Sequence, residues 1–433
     1  MHRFSSRTIL AVVIANMIGT GVFTSLGFQL LEIQSGFVLM MLWITGGLAA
    51  LCGALCYAEL GAALPRSGGE YNFLSRILHP AAGFVSGWIS ASIGFTAPVA
   101  LAAMTFAAYA SSSVPALAGT WTQKCLAITV VVLLATLHSS NHRKSGGLQN
   151  LFTLIKVLVI VGFCTVALAA VDSWQPISIL PAAGDSQLVL SSAFAVSLIY
   201  VSYAYTGWNA ATYLSGEMTN PQKELPKVLA AGTGIVMLLY LGLNFVFLKV
   251  APIDAMRGQI EIGAIAAGAV FGEQGRQITG LILAVLLIST VSAMTVAGPR
   301  VLQVIGEDFA ALRFLSRSNS DGIPTSAIWF QSAGAILFIV FSGFESILLF
   351  AGFILALNSF VTIAALVVLR FREPELERPY RVFAYPLPPA IYLMLTGWTI
   401  TYVLLERPQE AFFGIAVVTL GLLVYWLTMR RQE

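Results

Sequence analysis

Charged residues are scarce in this chain of 433 residues, because Asp, Glu, Lys and Arg together make up only 10% of it. Soluble domains carry about 25% of these residues, so the composition excludes an ordinary water-exposed globular surface. The mean hydropathy is +0.84, and the apolar residues form long runs rather than the polar–apolar alternation of an outer-membrane barrel. The sequence therefore predicts an all-α polytopic membrane protein without a separate soluble domain.

The residues that catalysis and metal binding require are also few. Four cysteines and four histidines are present, and they show neither metal-ligand spacing nor a Ser-His-Asp pattern, and no Walker loop occurs. No Asp or Glu lies near the middle of an apolar run. We expect no enzymatic activity, no cofactor, no metal site and no nucleic-acid partner. A channel and an intramembrane enzyme are the alternatives from a different functional class.

Twelve apolar segments, each close to the roughly 20 residues that a membrane-spanning helix needs, make up most of the chain. Their approximate bounds are residues 8–31, 37–63, 80–111, 124–140, 148–171, 190–215, 227–251, 276–304, 324–342, 345–370, 387–405 and 411–429. The first is too long for the core of a cleavable signal peptide, so we expect a true span. With the N-terminus inside, 17 Lys and Arg residues fall on the inner side and 5 on the outer side, with Lys156 in the membrane. This asymmetry predicts that both termini are cytoplasmic, in a plasma or bacterial inner membrane.

The first apolar segment has the sequence Gly19-Thr20-Gly21 at its middle. Gly is about 1 kcal/mol worse than Ala inside a helix, and Thr is β-branched, so the helix is weak here. A break would free backbone N–H and C=O groups, which hydrocarbon tolerates only where they line a cavity or meet a polar group. A helix restarting at Thr20 would direct N–H groups and the positive end of its dipole at a carboxylate. The alternative is a notch of small residues for helix packing.

The sixth segment contains a second interruption, Tyr203-Ala204-Tyr205-Thr206-Gly207-Trp208-Asn209, also at mid-depth. The first and sixth segments begin the two halves of the first ten spans. Interruptions at corresponding places in two halves indicate an inverted-repeat transporter with a binding site at the membrane midplane. The alternative is coincidence, because glycine is common in membrane helices.

Five elements occur in a fixed order: I-G-T-G-V-F (Ile18 to Phe23), Y-A-E-L-G-A-A-L-P-R-S-G-G-E-Y (Tyr57 to Tyr71), Lys156, Y-A-Y-T-G-W-N (Tyr203 to Asn209) and E-M-T-N-P (Glu217 to Pro221). In these elements and in its layout of twelve segments, the chain resembles the amino acid–polyamine–organocation superfamily. Within that superfamily it is most similar to the L-type amino acid transporters and their bacterial relatives. The resemblance implies a LeuT-type fold in one domain, residues 1–433, with alternating access. Its inverted repeats would cover residues 8–171 and 190–370, and two additional helices would cover residues 387–429.

The resemblance also implies a substrate site built from the two interruptions. The α-carboxylate would bind N–H groups at Gly19, Thr20 and Gly21, and the α-ammonium would bind carbonyl oxygens at Met17, Ile18, Tyr203 and Thr206. The break that supplies the latter would extend to Gly207. The ring of Tyr203 would close over the substrate as a gate, or would simply pack. Asn209 would brace the unwound segment, because a buried Asn must find partners.

Lys156 is an ionisable residue inside a span, and such residues are functional by default. In relatives, a lysine here reaches the broken first helix near the sodium site of sodium-coupled members, so we expect its ammonium to replace sodium. Snorkelling to the cytoplasmic face is the alternative. The hydroxyls of Ser289, Thr290 and Ser292 keep a sodium site open as a second alternative. Glu59, near the inner end of the second segment, is predicted to pair with Arg66 or another base rather than to carry protons.

These features predict a secondary transporter of L-amino acids, working as a sodium-independent exchanger or a proton-linked symporter. We expect small or medium neutral substrates, and a broad or cationic amino acid or polyamine permease is the alternative. The outer loop contains residues 260–271, which could form an amphipathic lid helix or pack as an ordinary loop. Animal L-type transporters pair with a heavy chain through a cysteine near the position of Cys125. We expect no such partner and a free Cys125, and the oligomeric state is not predicted.

Overall fold

The computed structural model describes residues 5–66, 68–140, 145–213, 218 and 220–430. Several predicted features lie outside the described residues: Arg3, Arg143, Lys144 and Arg431 of the charge count, Ser67 of the second motif, and Glu217 and Thr219 of the fifth. Regular structure in the described ranges consists of helices, so the predicted all-α class is confirmed.

The first six predicted segments correspond to helices that the chain interrupts in three places. These helices are α1 (Ser6–Met17) with α2 (Gly21–Gln29), α3 (Gly36–Ala63), α5 (Pro80–Ile89) with α6 (Thr96–Ser113), α7 (Thr120–Ser140), α8 (Ser145–Ala170), and α10 (Ser192–Ala204) with α11 (Ala210–Tyr213). Two short helices, α4 (Glu70–Ile77) and α9 (Asp185–Val189), lie in the connections.

The remaining six segments are mostly long helices. They are α12 (Pro221–Val250), α14 (Ile262–Asp308), α15 (Thr325–Phe341), α16 (Phe344–Arg372), α17 (Leu387–Glu406) and α18 (Pro408–Arg430), with the short α13 (Ile253–Met256) before α14. Within α14, Gly272 has a φ of +70° and divides a short first part from a long second part. The predicted amphipathic helix at residues 260–271 corresponds to this short first part, and its role as a lid stays a prediction.

Ten helical runs in the described residues are long and apolar enough to cross a membrane. The other two predicted spans coincide with shorter apolar helices, α10 and α15. Helix α10 is short because it stops at the second interruption. The all-helical layout agrees with the LeuT-type fold that the motifs imply, whereas the division into two inverted halves stays a prediction.

Helices α3 and α12 pack against each other along their length, as do α6 and α14, and each pair consists of counterparts in the two predicted halves. Small residues allow the close approach. A Cβ on Gly47 of α3 would lie 2.7 Å from the Met237 Cγ of α12, and a Cβ on Gly280 of α14 would lie 2.2 Å from the Ser113 Oγ of α6. These two helix pairs form the scaffold around the broken helices.

The connections lie on two faces of the bundle. We call the face with the loops at residues 64–66, 68–69, 309–324 and 373–386 the basic face, since most of the described Lys and Arg residues of the loops are there. Arg76 of α4 pairs with Glu373 at 2.7 Å across this face. The opposite face holds residues 171–191 and 251–261, where the Lys249 Nζ donates to the Ile177 carbonyl at 2.8 Å.

Candidate substrate site

The first interruption separates α1 from α2 at residues Ile18 to Thr20. The chain makes a tight turn there, in which the Gly19 N–H donates to the Met17 carbonyl oxygen at 2.8 Å. The N–H groups of Thr20 and Gly21 donate to no backbone carbonyl of the described residues. The start of α2 therefore offers free donors at Thr20 and Gly21, at the positive end of a helix dipole. The N–H of Gly19, the third predicted donor, is instead used within the turn.

The second interruption separates α10 from α11 at residues Tyr205 to Asn209. Thr206 folds back on Tyr203, whose carbonyl oxygen accepts from the Thr206 N–H at 3.0 Å and from the Thr206 Oγ1 at 2.6 Å. The carbonyl of Thr206 accepts no backbone N–H within the described part of the chain. Gly207 follows with a φ of +105°, in the region that favours glycine. This interruption thus offers a free acceptor.

The two broken helices touch each other beside their interruptions, and a glycine makes each of the two contacts possible. A Cβ on Gly207 would lie 2.7 Å from the Asn16 carbonyl oxygen and 3.0 Å from the Met17 nitrogen. A Cβ on Gly21 would lie 2.5 Å from the Ala204 Cα. The backbones of the broken helices therefore approach more closely than any side chain at these positions would permit.

Two side chains from other helices bind the carbonyl groups that the first interruption exposes. The Lys156 Nζ of α8 donates to the Ile18 carbonyl at 3.1 Å and to the Thr290 Oγ1 of α14 at 2.8 Å. The Tyr240 hydroxyl of α12 donates to the Met17 carbonyl and lies 3.2 Å from the Ala204 carbonyl oxygen. Lys156 is only 4% exposed, so in this conformation its ammonium points to the break and does not snorkel.

These contacts change the predicted set of ammonium ligands. A carbonyl oxygen has two lone pairs, and in this conformation those of Met17 are used by Gly19 and Tyr240, while those of Tyr203 are used by Thr206. Within the tight turn at each interruption, a carbonyl oxygen that was expected to be free accepts a hydrogen bond from a nearby residue. Ile18 keeps one lone pair beside Lys156, and Thr206 keeps both.

The three candidate sodium-binding hydroxyls have separate partners. Ser289 Oγ donates to the Leu286 carbonyl of its own helix at 2.7 Å, and Ser292 Oγ lies 2.8 Å from the His138 Nε2. Only Thr290 reaches Lys156. The hydroxyls therefore do not converge on a single point in this conformation.

A cavity of about 450 Å³ lies between the interruptions and the basic face. A cavity of this size accommodates a small ligand. Its wall includes Asn16 from α1, Thr206, Gly207 and Asn209 from the second interruption, the π-helical turn Ser90–Gly94 between α5 and α6, and polar residues of the mouth, Arg66, Glu70 and Arg300. Met17 to Gly21 and Tyr203 are not among the lining residues.

Tyr203 of α10 and Thr20 of the first interruption contact each other. Their side chains share a hydrogen bond, and both are buried, with 5% and 3% exposure. The role of Tyr203 as a gate stays a prediction.

On the face opposite to the basic face, α2 is covered by the loop at residues 251–261. The Gly258 N–H donates to the Gly27 carbonyl at 2.8 Å, and the Arg257 Nη2 donates to the Leu31 carbonyl at 3.1 Å. The buried Tyr109 hydroxyl donates to the Phe23 carbonyl at 3.1 Å and accepts from the Gly263 N–H at 3.0 Å. These contacts join α2 to the segment at residues 257–263 and to α6 on the face opposite to the basic face.

Comparison with known proteins decides the family. A family model described as amino acid permease matches residues 4–425. The chain belongs to the amino acid permease family. This permease is 28% identical over 443 residues to the large neutral amino acids transporter small subunit 2 of Oryctolagus cuniculus, covering 98% of this chain and 79% of that protein.

Two further relatives come from Mus musculus. The permease is 25% identical over 438 residues to the b(0,+)-type amino acid transporter 1, covering 96% of this chain and 86% of the relative. It is 26% identical over 446 residues to the Asc-type amino acid transporter 1, covering 96% of this chain and 79% of the relative. The resemblance to L-type transporters is thereby confirmed.

Sequence reasoning missed three features of the permease site: Tyr240, Glu70 and the π-helical turn. Tyr240 looks like one more aromatic residue in an apolar run, although buried Tyr hydroxyls usually have a partner. Glu70 lies outside the predicted spans, yet it is 1% exposed and lines the cavity. The absence of acids near the middle of the spans therefore does not keep carboxylates away from the site. The π-helical turn could have been predicted from Pro98, because Pro has no N–H to donate to the carbonyl four residues earlier.

Glu59 has a different partner from the first one predicted. Its fully buried carboxylate accepts from the Arg370 guanidinium of α16 and from the Val382 N–H at 2.6 Å, and it lies 3.5 Å from the Arg378 Nε. Arg66 lines the cavity mouth instead. The second predicted option, another base near the inner end, is the one observed. The cluster ties α3 to α16 and to the loop before α17.

Proposed function

We propose that this permease carries L-amino acids across the plasma or inner membrane by alternating access. One observation supports this proposal above the others: the broken helices touch at Gly207 and Asn16, and their interruptions present free backbone groups of opposite polarity. Such a pair of interruptions suits a zwitterion and needs no charged side chain. The family and the names of the relatives agree with transport rather than with an enzymatic or channel function.

The substrate carboxylate would bind the N–H groups of Thr20 and Gly21, once Tyr203 has moved away from Thr20. The ammonium would bind the Thr206 carbonyl and the remaining lone pair of Ile18. Gly19 and Met17 would form the tight turn between α1 and α2 and would not bind the substrate through this N–H and carbonyl, since the Met17 carbonyl accepts from Gly19 and Tyr240. Gly207 would allow the close approach of the two broken helices.

Transport would be independent of sodium. The Lys156 ammonium bridges the Ile18 carbonyl and the Thr290 hydroxyl, which is the electrostatic task of a bound cation between a broken helix and a scaffold helix. Ser289 bonds within its own helix and is not part of this bridge. The permease would then work as an exchanger or as a proton-linked symporter.

Small or medium neutral amino acids are the proposed substrates. Of the relatives, one is named for large neutral amino acids and two for b(0,+)-type and Asc-type amino acid transport. A cationic substrate is the second candidate, because the Glu70 carboxylate lines the cavity. Glu70 already accepts from Asn209 at 2.6 Å and from Tyr57 at 3.1 Å, which favours a neutral substrate.

The basic face, and with it both termini, would be cytoplasmic, so the cavity would open to the cytoplasm. The permease would also work without a heavy chain, although one relative is named a small subunit. Cys125 is a free, exposed cysteine near the start of α7, where a partner could reach it. Transport by the purified chain alone, unchanged in Cys125→Ser, would support this assignment.

Counterflow in proteoliposomes tests the proposal. Vesicles loaded with an unlabelled amino acid should accumulate the labelled form transiently, with saturation and without sodium. A flux that rises linearly with concentration would indicate a channel, and no flux for any of the twenty amino acids would refute the proposal.

A further inference from the structure

Glu70 is a buried carboxylate at the mouth of the cavity, and the proposed transport mechanism assigns it no task. It is the first residue of α4, in the loop that follows α3. Its Oε1 accepts from the Asn209 Nδ2 at 2.6 Å and from the Tyr57 hydroxyl at 3.1 Å. Burial of a carboxylate is costly unless it is hydrogen-bonded, and hydrogen bonds to an ionised acceptor are about twice as strong as neutral ones.

Asn209 is the last residue of the second interruption. Its carbonyl accepts from the Thr212 N–H at 2.9 Å and from the Thr212 Oγ1 at 2.7 Å, so its backbone starts the inner half-helix α11. Its side chain is held by Glu70. The hydrogen bond to Glu70 therefore fixes the point at which the chain leaves the interruption.

Tyr57 connects this contact to the scaffold. It is fully buried in α3, and its ring lies edge-on to the Trp208 ring with centroids 4.6 Å apart. Trp208 and Asn209 are consecutive residues of the interruption. Tyr57 packs against Trp208, and it donates to the same Glu70 oxygen as Asn209 does. The free acceptor Thr206 and the contact residue Gly207 lie directly before them in the chain.

We propose that Glu70 is the positioning residue of the second interruption: by holding Asn209 against α3, it keeps the backbone of Thr206 and Gly207 in the geometry that receives the substrate ammonium. This inference rests on the proposed function and adds a residue to it. Because Glu70 belongs to the loop at the cavity mouth, the same contact joins the mouth to the substrate site.

The test uses the fact that Glu and Gln, and likewise Asn and Asp, have side chains of equal length. Three variants are compared with the wild type in proteoliposome exchange: Glu70→Gln, Asn209→Asp, and the double variant that exchanges carboxylate and amide. Glu373→Gln is the matched control, since this acid lies on the same face in an exposed pair with Arg76. Size-exclusion profiles verify that each variant is folded.

Glu70→Gln replaces a charged acceptor by a neutral one, which should raise KM about 5- to 10-fold while the maximal exchange rate is kept. Asn209→Asp places two carboxylates against each other and should raise KM by about 30-fold or more. The double variant restores an amide–carboxylate hydrogen bond, so its KM should fall well below that of Asn209→Asp. Glu373→Gln should leave KM unchanged.

A purely structural role would lower the amount of protein or the maximal rate and leave KM in place. The inference is overturned if Glu70→Gln keeps the wild-type KM, or if the double variant is no better than Asn209→Asp. A wild type without saturable exchange would instead refute the proposed function, so the two failures are distinguishable.

Discussion

Gly207→Ala is the substitution that bears most directly on the contact between the two broken helices. Gly207 has a φ of +105°, and an added Cβ would lie 2.7 Å from the Asn16 carbonyl oxygen. Carbon and oxygen atoms that are not bonded do not approach this closely, so the interruptions would have to separate. The alanine would also resist the backbone conformation itself.

The backbone strain alone amounts to about 1–3 kcal/mol. Since 1.4 kcal/mol is a factor of ten, the affinity for substrate should fall about 5- to 150-fold, and the displacement of Asn16 adds to this loss. The protein should remain folded, because the scaffold pairs α3–α12 and α6–α14 do not involve Gly207.

Substrate-dependent thermal stabilisation measures this affinity on purified protein, because ligand binding raises apparent stability by mass action. The ligand is the amino acid that stabilises the wild type most among the twenty. Gly242→Ala in α12 is the control, since no described heavy atom lies within 4 Å of its added Cβ, and it should bind as the wild type does. Wild-type affinity in Gly207→Ala would refute the proposed contact.

Three further results are expected. Lys156→Ala leaves the Ile18 carbonyl and the Thr290 hydroxyl without their shared donor and should slow exchange at least about tenfold. Replacing sodium by choline should not change uptake by the wild type. Normal exchange in the variant, or a sodium requirement of the wild type, would contradict the role assigned to Lys156. Glu59→Gln removes the carboxylate partner of the buried Arg378 and should cost about 3 kcal/mol of stability, seen as a lower Tm. Burial raises the pKa of the Glu261 carboxyl above its usual range, so Glu261 contributes less to the stability of the folded state as pH rises through the carboxylate range. Glu261→Gln should therefore flatten the dependence of Tm on pH. An unchanged dependence of Tm on pH would contradict this prediction.

The positions of the interruptions could be predicted from the sequence because they depend on local propensity. Gly19, Gly21 and Gly207 are poor helix formers in mostly apolar segments. The structure interrupts the helices at Gly19 and Gly207, and α2 begins at Gly21. The link between Lys156 and the first interruption came from the resemblance to the L-type transporters, because the position of Lys156 inside a span indicates by itself only a functional residue.

The state of each backbone carbonyl could not be predicted. Which of them stay free depends on how the chain turns after the break, as when Thr206 folds back on Tyr203. It also depends on side chains that reach in from distant helices, as Tyr240 does towards Met17. These contacts are tertiary, and local propensity contains no information about them.

The loop residues that line the cavity could not be predicted from the sequence either. Glu70 follows two glycines in a polar connection, which is a solvent-exposed loop by composition. It becomes buried because α4 packs back against α5 and α16 and brings the carboxylate to Asn209. Likewise, Glu59 could be assigned an ion pair but not its partner, since the sequence offers several bases near the same face and only the packing of α16 selects Arg370.

The central claim is that backbone groups of two interrupted helices bind both charged ends of an amino acid. The most direct measurement compares the affinity of the purified permease for its best amino acid with those for the corresponding amine, which lacks the carboxylate, and the corresponding acid, which lacks the ammonium. We predict that only the zwitterion stabilises the protein. Equal stabilisation by the amine or by the acid would contradict the claim.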